Sequence, residues 1–136
     1  VILPIHPRTK KMIKHYKLDD LLDNLIVIEP VGYIEMLGLI INSSLVMTDS
    51  GGLQKEAVYN EKHCVILREE TEWNEIVDSK LGIISGYHIE DIVSAYNNLS
   101  SKKFENKTNL YGDGDSAEKI LAIIVNHINQ SLLNQS

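Results

Sequence analysis

Apolar residues fall along this chain in short runs, and the stretches between the runs repeat apolar positions at helical spacing. Residues Val1–Ile5, Leu25–Glu29, Ser44–Met47, Val65–Leu67 and Gly82–Ile84 read as strands. Thr9–Tyr16, Tyr33–Asn42, Gly51–Tyr59, Trp73–Ser79 and Glu90–Leu99 read as helices. Strands alternating with helices predict an α/β fold, a parallel sheet flanked by helices. Ligands of such sheets bind beyond the carboxyl ends of the strands. His6, the Pro30–Tyr33 turn, Ser50 and the Arg68–Glu72 turn all follow strands, so one rim is expected to collect them.

With 136 residues the chain is expected to form one domain: residues 1–99 as sheet and helices, 100–115 as a loop, 116–133 as a closing helix. Ser100–Asn109 is polar and lysine-rich and reads as solvated. In the closing helix Ala117, Ile120, Leu121, Ile124 and Ile128 share a face, which is expected to be buried core rather than a partner surface. The polar tail Asn134–Ser136 is expected to fray. Val1 opens directly inside an apolar strand without a cap or initiating Met, so the chain reads as a fragment.

The segment Thr48–Ala57 carries the strongest local signal, because it turns from strand to helix through Gly51 and Gly52. The first N–H groups of a helix have no intrahelical partner, and the dipole is positive at that end. With the Ser50 hydroxyl, those donors would converge on a phosphate, which two glycines let approach the backbone. Glu56, one turn further on, suits a ribose diol. The same residues also describe a capped helix after a tight turn.

Charge narrows the partners. Against 13 Lys and Arg stand 19 Asp and Glu, a formal net charge of −6, which argues against a nucleic-acid surface. Lys10, Lys11, Lys14 and Lys17 have the spacing of a solvated helix face. Cys64 is the single cysteine, lies in an apolar run and reads as core; a reducing, cytoplasmic setting is expected. No segment has the length of a membrane span, and His15, His63, His88 and His127 show no metal-ligand spacing.

Several landmarks occur in order: Pro4, Ile5, His6, Pro7; Pro30, Val31, Gly32, Tyr33; Thr48–Ala57; Leu67, Arg68 with Thr71, Glu72; and Tyr111, Gly112, Asp113, Gly114. In this the chain resembles the C-terminal domain of the non-hydrolysing UDP-N-acetylglucosamine 2-epimerases. The resemblance implies the second Rossmann-like domain of a glycosyltransferase-B-like architecture, a UDP-sugar substrate, no cofactor or metal, and a homodimer as full-length protein. It implies inversion at C2 by elimination of UDP to 2-acetamidoglucal and re-addition from the other face. Ser50, Gly51 and Gly52 would hold the diphosphate and Glu56 the ribose. The uracil would lie near Val31 and Met36, whose spacing equally suits core packing. His6 would face the sugar nucleotide, or else be a turn histidine bonded to backbone. Arg68 would pair with phosphate or fix its loop through Glu69, Glu70 or Glu72.

Trp73 and Asn74 depart from the Arg-Pro that acetylglucosamine epimerases usually carry after the Thr-Glu pair. A Trp there resembles relatives acting on 2,3-diacetamido sugar nucleotides, so the alternative is a 2-epimerase of such a sugar. A second alternative is a glycosyltransferase of the same architecture, and a third is a nucleotide-sensing module without activity. The carboxylates that the family uses for proton transfer are not in this sequence, so the chain alone is expected to turn over nothing.

Overall fold

The structure, a computed structural model, describes residues 1–106 and 109–133, with side chains to residue 130; the tail Asn134–Ser136 lies outside them. Among the described residues five strands and six α-helices alternate through most of the chain: β1 Ile2–Pro4, α1 Pro7–Tyr16, β2 Ile26–Ile28, α2 Tyr33–Ile41, β3 Val46–Thr48, α3 Gly51–Tyr59, β4 Cys64–Ile66, α4 Asn74–Asp78, β5 Gly82–Ile84, α5 Ile89–Ser100 and α6 Ser116–Leu133. Every strand pairing is parallel, as the α/β alternation requires. The sequence pattern predicts one sheet, whereas the ladders form two, β1-β2 and β3-β4-β5. They belong to two compact units, Val1–Asn42 and Ser43–Ser136.

In the first unit Ile2 pairs with Ile26 and Pro4 with Ile28. Helix α1 begins at Pro7, two residues before its predicted start, because His6 caps it: His6 Nδ1 accepts from the Arg8 N–H at 3.2 Å. Proline at the first helical position loses no hydrogen bond there. Lys10, Lys11, Lys14 and Lys17 are all exposed, and Lys10 pairs with Glu29 across to the end of β2. A short 3-10 turn at Asp19–Leu22 was not legible as a period, since one turn is too short to show one.

In the second unit β4 is the central strand, and its Cys64, Val65 and Ile66 are fully buried. Helix α3 packs on β3 and β4, α5 on β4 and β5, and α4 on β5. One cluster joins Val65 to Ala95 and Leu99; another joins Val58, Ile76 and Leu81. Gly82 is required by close approach: a Cβ there would stand 2.8 Å from Ile76 Cγ2 and 3.2 Å from the Cys64 carbonyl oxygen. The Cys64 thiol, in this dry centre, is pushed up to about 12 by burial.

Two expectations need correction. The 100–109 segment is not wholly solvated, because Phe104 packs, with Leu110 and Tyr111, against the Val58 cluster, its ring tilted 51° to that of His63 at 5.2 Å between centroids. The apolar stripe of α6 is not core: Ile120, Leu121, Ile124 and Ile128 are 50–61% exposed, and Ala117 is exposed as well. Helical period fixes which residues share a face but not what covers it, and α3, α4 and α5 already supply the helices packed on β3-β4-β5.

Candidate nucleotide-binding site

The corner between β3 and α3 is built locally. Thr48, buried at the end of β3, accepts from the Ser50 N–H through Oγ1 at 3.0 Å, which turns the chain out of the sheet. Ser50 then caps α3, its Oγ accepting from the Leu53 N–H at 3.5 Å. That contact is long and uses only acceptor capacity, so the hydroxyl proton is still available to a ligand. Gly51 and Gly52 are the first two helical residues, and helix geometry leaves their N–H groups without intrahelical acceptors. The capping reading and the anion reading are therefore compatible at Ser50.

The two glycines have different surroundings. A Cβ on Gly51 would stand 3.2 Å from both Glu72 Oε2 and Trp73 Nε1, so the loop after β4 folds closely over the first turn of α3. A Cβ on Gly52 would meet only Ser50 Oγ, at 3.9 Å. Gly51 is thus fixed by the chain's own packing, whereas Gly52 faces open space.

The loop is pinned by several polar contacts. Arg68 Nη1 donates to Glu72 Oε2 at 2.9 Å, the ion pair that the sequence offered as one of two readings. A hydrogen bond from its own backbone N–H, and then that from Arg68, hold the Glu72 carboxyl below the ordinary carboxylate value. Thr71 Oγ1 donates to the Oε1 of fully buried Gln54 at 2.6 Å and accepts from the Trp73 N–H at 3.1 Å. The Lys55 ammonium lies 4.1 Å from the Trp73 ring centroid and 5.0 Å from that of Tyr111. Tyr111 in turn donates to Glu75 Oε1 at 3.3 Å. Its hydroxyl is pushed up to about 12, by burial first and then by the Glu75 charge and hydrogen bond.

Ser50, Gly51, Gly52, Arg68 and Glu72 therefore meet at the start of α3, with the half-buried Glu56 one turn further along. His6, Val31 and Met36 belong to the first unit. There His6 is exposed at the start of α1, and Val31 and Met36 are half-buried before and on α2. Lys55, Gln54 and Trp73 were absent from the predicted site residues. Their contacts link positions 17 or more apart in sequence, which no local period reports. Tyr111–Gly114 was a landmark without a role; its Gly112 and Gly114 adopt φ +69° and +84°, a turn that glycine allows and that places Tyr111 against Lys55. Among the described residues no group of three or more His, Cys, Asp or Glu is placed to hold a metal ion, and no helix is long and apolar enough to cross a membrane.

An opening of this kind, at the carboxyl end of a parallel strand, is where α/β proteins take nucleotides and other anions. Residues 1–125 match the family profile described as UDP-N-acetylglucosamine 2-epimerase, and the chain belongs to that family. It is 42% identical over 127 residues to the UDP-N-acetylglucosamine 2-epimerase of Methanococcus maripaludis, covering 91% of this chain and 34% of the relative. It is 40% identical over 120 residues to the UDP-2,3-diacetamido-2,3-dideoxy-D-glucuronate 2-epimerase of Pseudomonas aeruginosa, covering 88% and 33%. The crystal structure of the Methanocaldococcus jannaschii UDP-GlcNAc 2-epimerase in complex with UDP-GlcNAc and UDP superposes with a TM-score of 0.81 at 41% identity, covering 91% of this chain and 35% of that one. The chain thus spans about a third of the length of the relatives it matches.

Proposed function

We propose that this chain forms the UDP-binding part of a UDP-N-acetylglucosamine 2-epimerase, converting UDP-GlcNAc to UDP-ManNAc. The open start of α3, entered through Ser50, Gly51 and Gly52, carries this reading. In the reaction the proton at C2 is removed as the C1–O bond to UDP breaks, giving 2-acetamidoglucal. UDP oxygen then returns to C1 while C2 is reprotonated from the opposite face. The negative charge on the diphosphate grows as the C1–O bond breaks, so preorganised donors at the diphosphate stabilise that step. The Gly51 and Gly52 N–H groups, the Ser50 hydroxyl and the helix dipole are such donors, and Glu56 would accept from the ribose hydroxyls. The proton-transfer groups belong to sequence outside this chain, and the full-length protein is proposed to work as a homodimer. A UDP-2,3-diacetamido sugar is the second reading, favoured by Trp73 and by the 40% identity to the Pseudomonas enzyme.

The test uses the full-length protein. Incubation with UDP-GlcNAc in deuterated water should place deuterium at C2; exchange seen only with a diacetamido sugar selects the second reading, and exchange with neither refutes both. Ser50→Ala should weaken UDP binding by roughly 1.5 to 3 kcal/mol, the range for a hydrogen bond to a charged group, and unchanged calorimetric affinity would remove Ser50 from the site.

A further inference from the structure

Within that reading one side chain lacks an assigned role and has a donor with nothing to donate to. Trp73 Nε1 is enclosed and has no hydrogen-bond partner among the described residues. A buried, unsatisfied N–H costs free energy, and such exceptions in folded proteins need a reason. The indole is not loosely placed. Its ring carries the Lys55 ammonium on one face, its backbone N–H is bonded to Thr71, and its edge joins the Val58, Ile76 and Leu81 cluster. The unpartnered nitrogen abuts Gly51, the first residue of α3, 3.2 Å from where a Cβ would stand. Deeper in the same contact the Nε2 of Gln54 is also unpartnered, on a side chain with no exposure whose Oε1 holds Thr71. Two buried donors thus lie between the loop and the helix start without an acceptor. The group beside Trp73 at Gly51 is the Glu72 carboxylate, 56% exposed and held by Arg68 at 2.9 Å, the place that a ligand oxygen would have to take.

We propose that Trp73 is a ligand-binding residue of this site, its indole N–H donating to an oxygen of the diphosphate held at the start of α3. The inference rests on the UDP-binding reading above. The donor is neutral, held by the Lys55 and Thr71 contacts, and lies beside Gly51 at the start of α3. Cation–π contact with Lys55 fixes the ring plane and keeps a positive charge close by. Charge-assisted hydrogen bonds of this kind are stronger than neutral ones, which gives the indole a measurable share of the affinity.

The experiment removes the N–H and nothing else. In the full-length protein Trp73 is replaced by benzothienylalanine, which keeps the bicyclic ring and puts sulfur in place of the N–H; Trp73→Phe is the encoded counterpart. Titration calorimetry with UDP, inorganic diphosphate and uridine is combined with thermal melts. An isostere with an unchanged melting temperature and about 10-fold weaker binding of UDP and of diphosphate is expected, with uridine binding unaffected. In the wild-type protein the indole proton resonance of Trp73, identified by its loss in Trp73→Phe, should move downfield on adding UDP. Wild-type affinity in the isostere, or a resonance that does not move at saturating UDP, overturns the role of Trp73 and leaves the UDP-binding reading standing. Failure of the wild-type protein to bind UDP overturns both.

Discussion

Gly52→Ala separates a helix that is merely well formed from one built around a ligand. Gly52 is the second residue of α3, is exposed, and its φ is not positive. The added methyl group meets only Ser50 Oγ at 3.9 Å, an ordinary van der Waals contact, so the folded state is not strained. Replacing glycine by alanine at a compatible site stabilises by about 0.4 to 1 kcal/mol through the unfolded chain, and a position so near the helix end should give the lower part of that range. A helical Cβ tilts toward the N-terminus, so the methyl would project over the N–H groups that are to receive the diphosphate. Losing a hydrogen bond to a charged group costs about 1.5 to 3 kcal/mol, or at least 10-fold in affinity. The variant should therefore be slightly more stable in urea, at unchanged m value, and bind UDP at least 10-fold more weakly by calorimetry. Gly51→Ala should behave oppositely in stability, because its methyl would press on Trp73 Nε1, which the Lys55 stack holds in place. A loss of about 1 kcal/mol is expected there, the low end for overpacking. A Gly52→Ala protein that binds UDP like the wild type would refute the reasoning, and so would one that loses stability.

Glu56→Gln should weaken UDP more than inorganic diphosphate, because only UDP offers a ribose diol to the carboxylate; equal losses in calorimetry would remove that assignment. Stability should also fall on both sides of a plateau in pH. Burial and then the Lys102 charge lower His63 from 6.5, so its contribution is present above pH 6.5 and lost as the pH falls, because the unfolded imidazole takes up the proton first. Cys64 and Tyr111 are raised from 9.0 and 10.0 to about 12, so their contribution is complete below pH 9.0 and is lost as the pH climbs toward 12. Urea midpoints across this range check both limbs, and a midpoint still rising above pH 10.0 would contradict the alkaline one.

Most of the fold is legible because its signals are local. Val46–Thr48 and Cys64–Ile66 are apolar or β-branched runs, and each predicted helix up to α5 begins within two residues of its observed start. The start of α1 was misplaced because proline looks like a breaker until its position at the first helical residue is known. Sheet continuity is a different kind of property, since it depends on which strands exchange hydrogen bonds across a crossover, and the pattern within each strand does not encode that. The failure at α6 has the same origin. Ile120, Leu121, Ile123, Ile124 and Val125 surround much of the helix, so hydrophobicity specifies a helix without specifying a covered face.

The site divides along the same line. The Ser50 cap and the glycines are read from adjacent residues, but the loop that completes the corner is tied to α3 by Thr71–Gln54 and Trp73–Lys55 contacts that cross 17 and 18 positions. These contacts also alter the electrostatics of the helix start. Helices α2, α4, α5 and α6 carry an acidic residue in their own first turn, which satisfies the positive end of the dipole. Helix α3 has none there and instead has Lys55 near its start, a charge that the dipole opposes. The faces of Trp73 and Tyr111 offset part of that cost. Glu72, reaching the corner from outside the helix and shared with Arg68, is the carboxylate nearest Gly51, and it is exposed. A helix start with open N–H groups, a neighbouring lysine and a borrowed, exposed carboxylate already shared with Arg68 is short of negative charge in a way its own sequence does not correct. A bound diphosphate would correct it, which is why the stability of this corner, and not only its affinity, should rise with UDP.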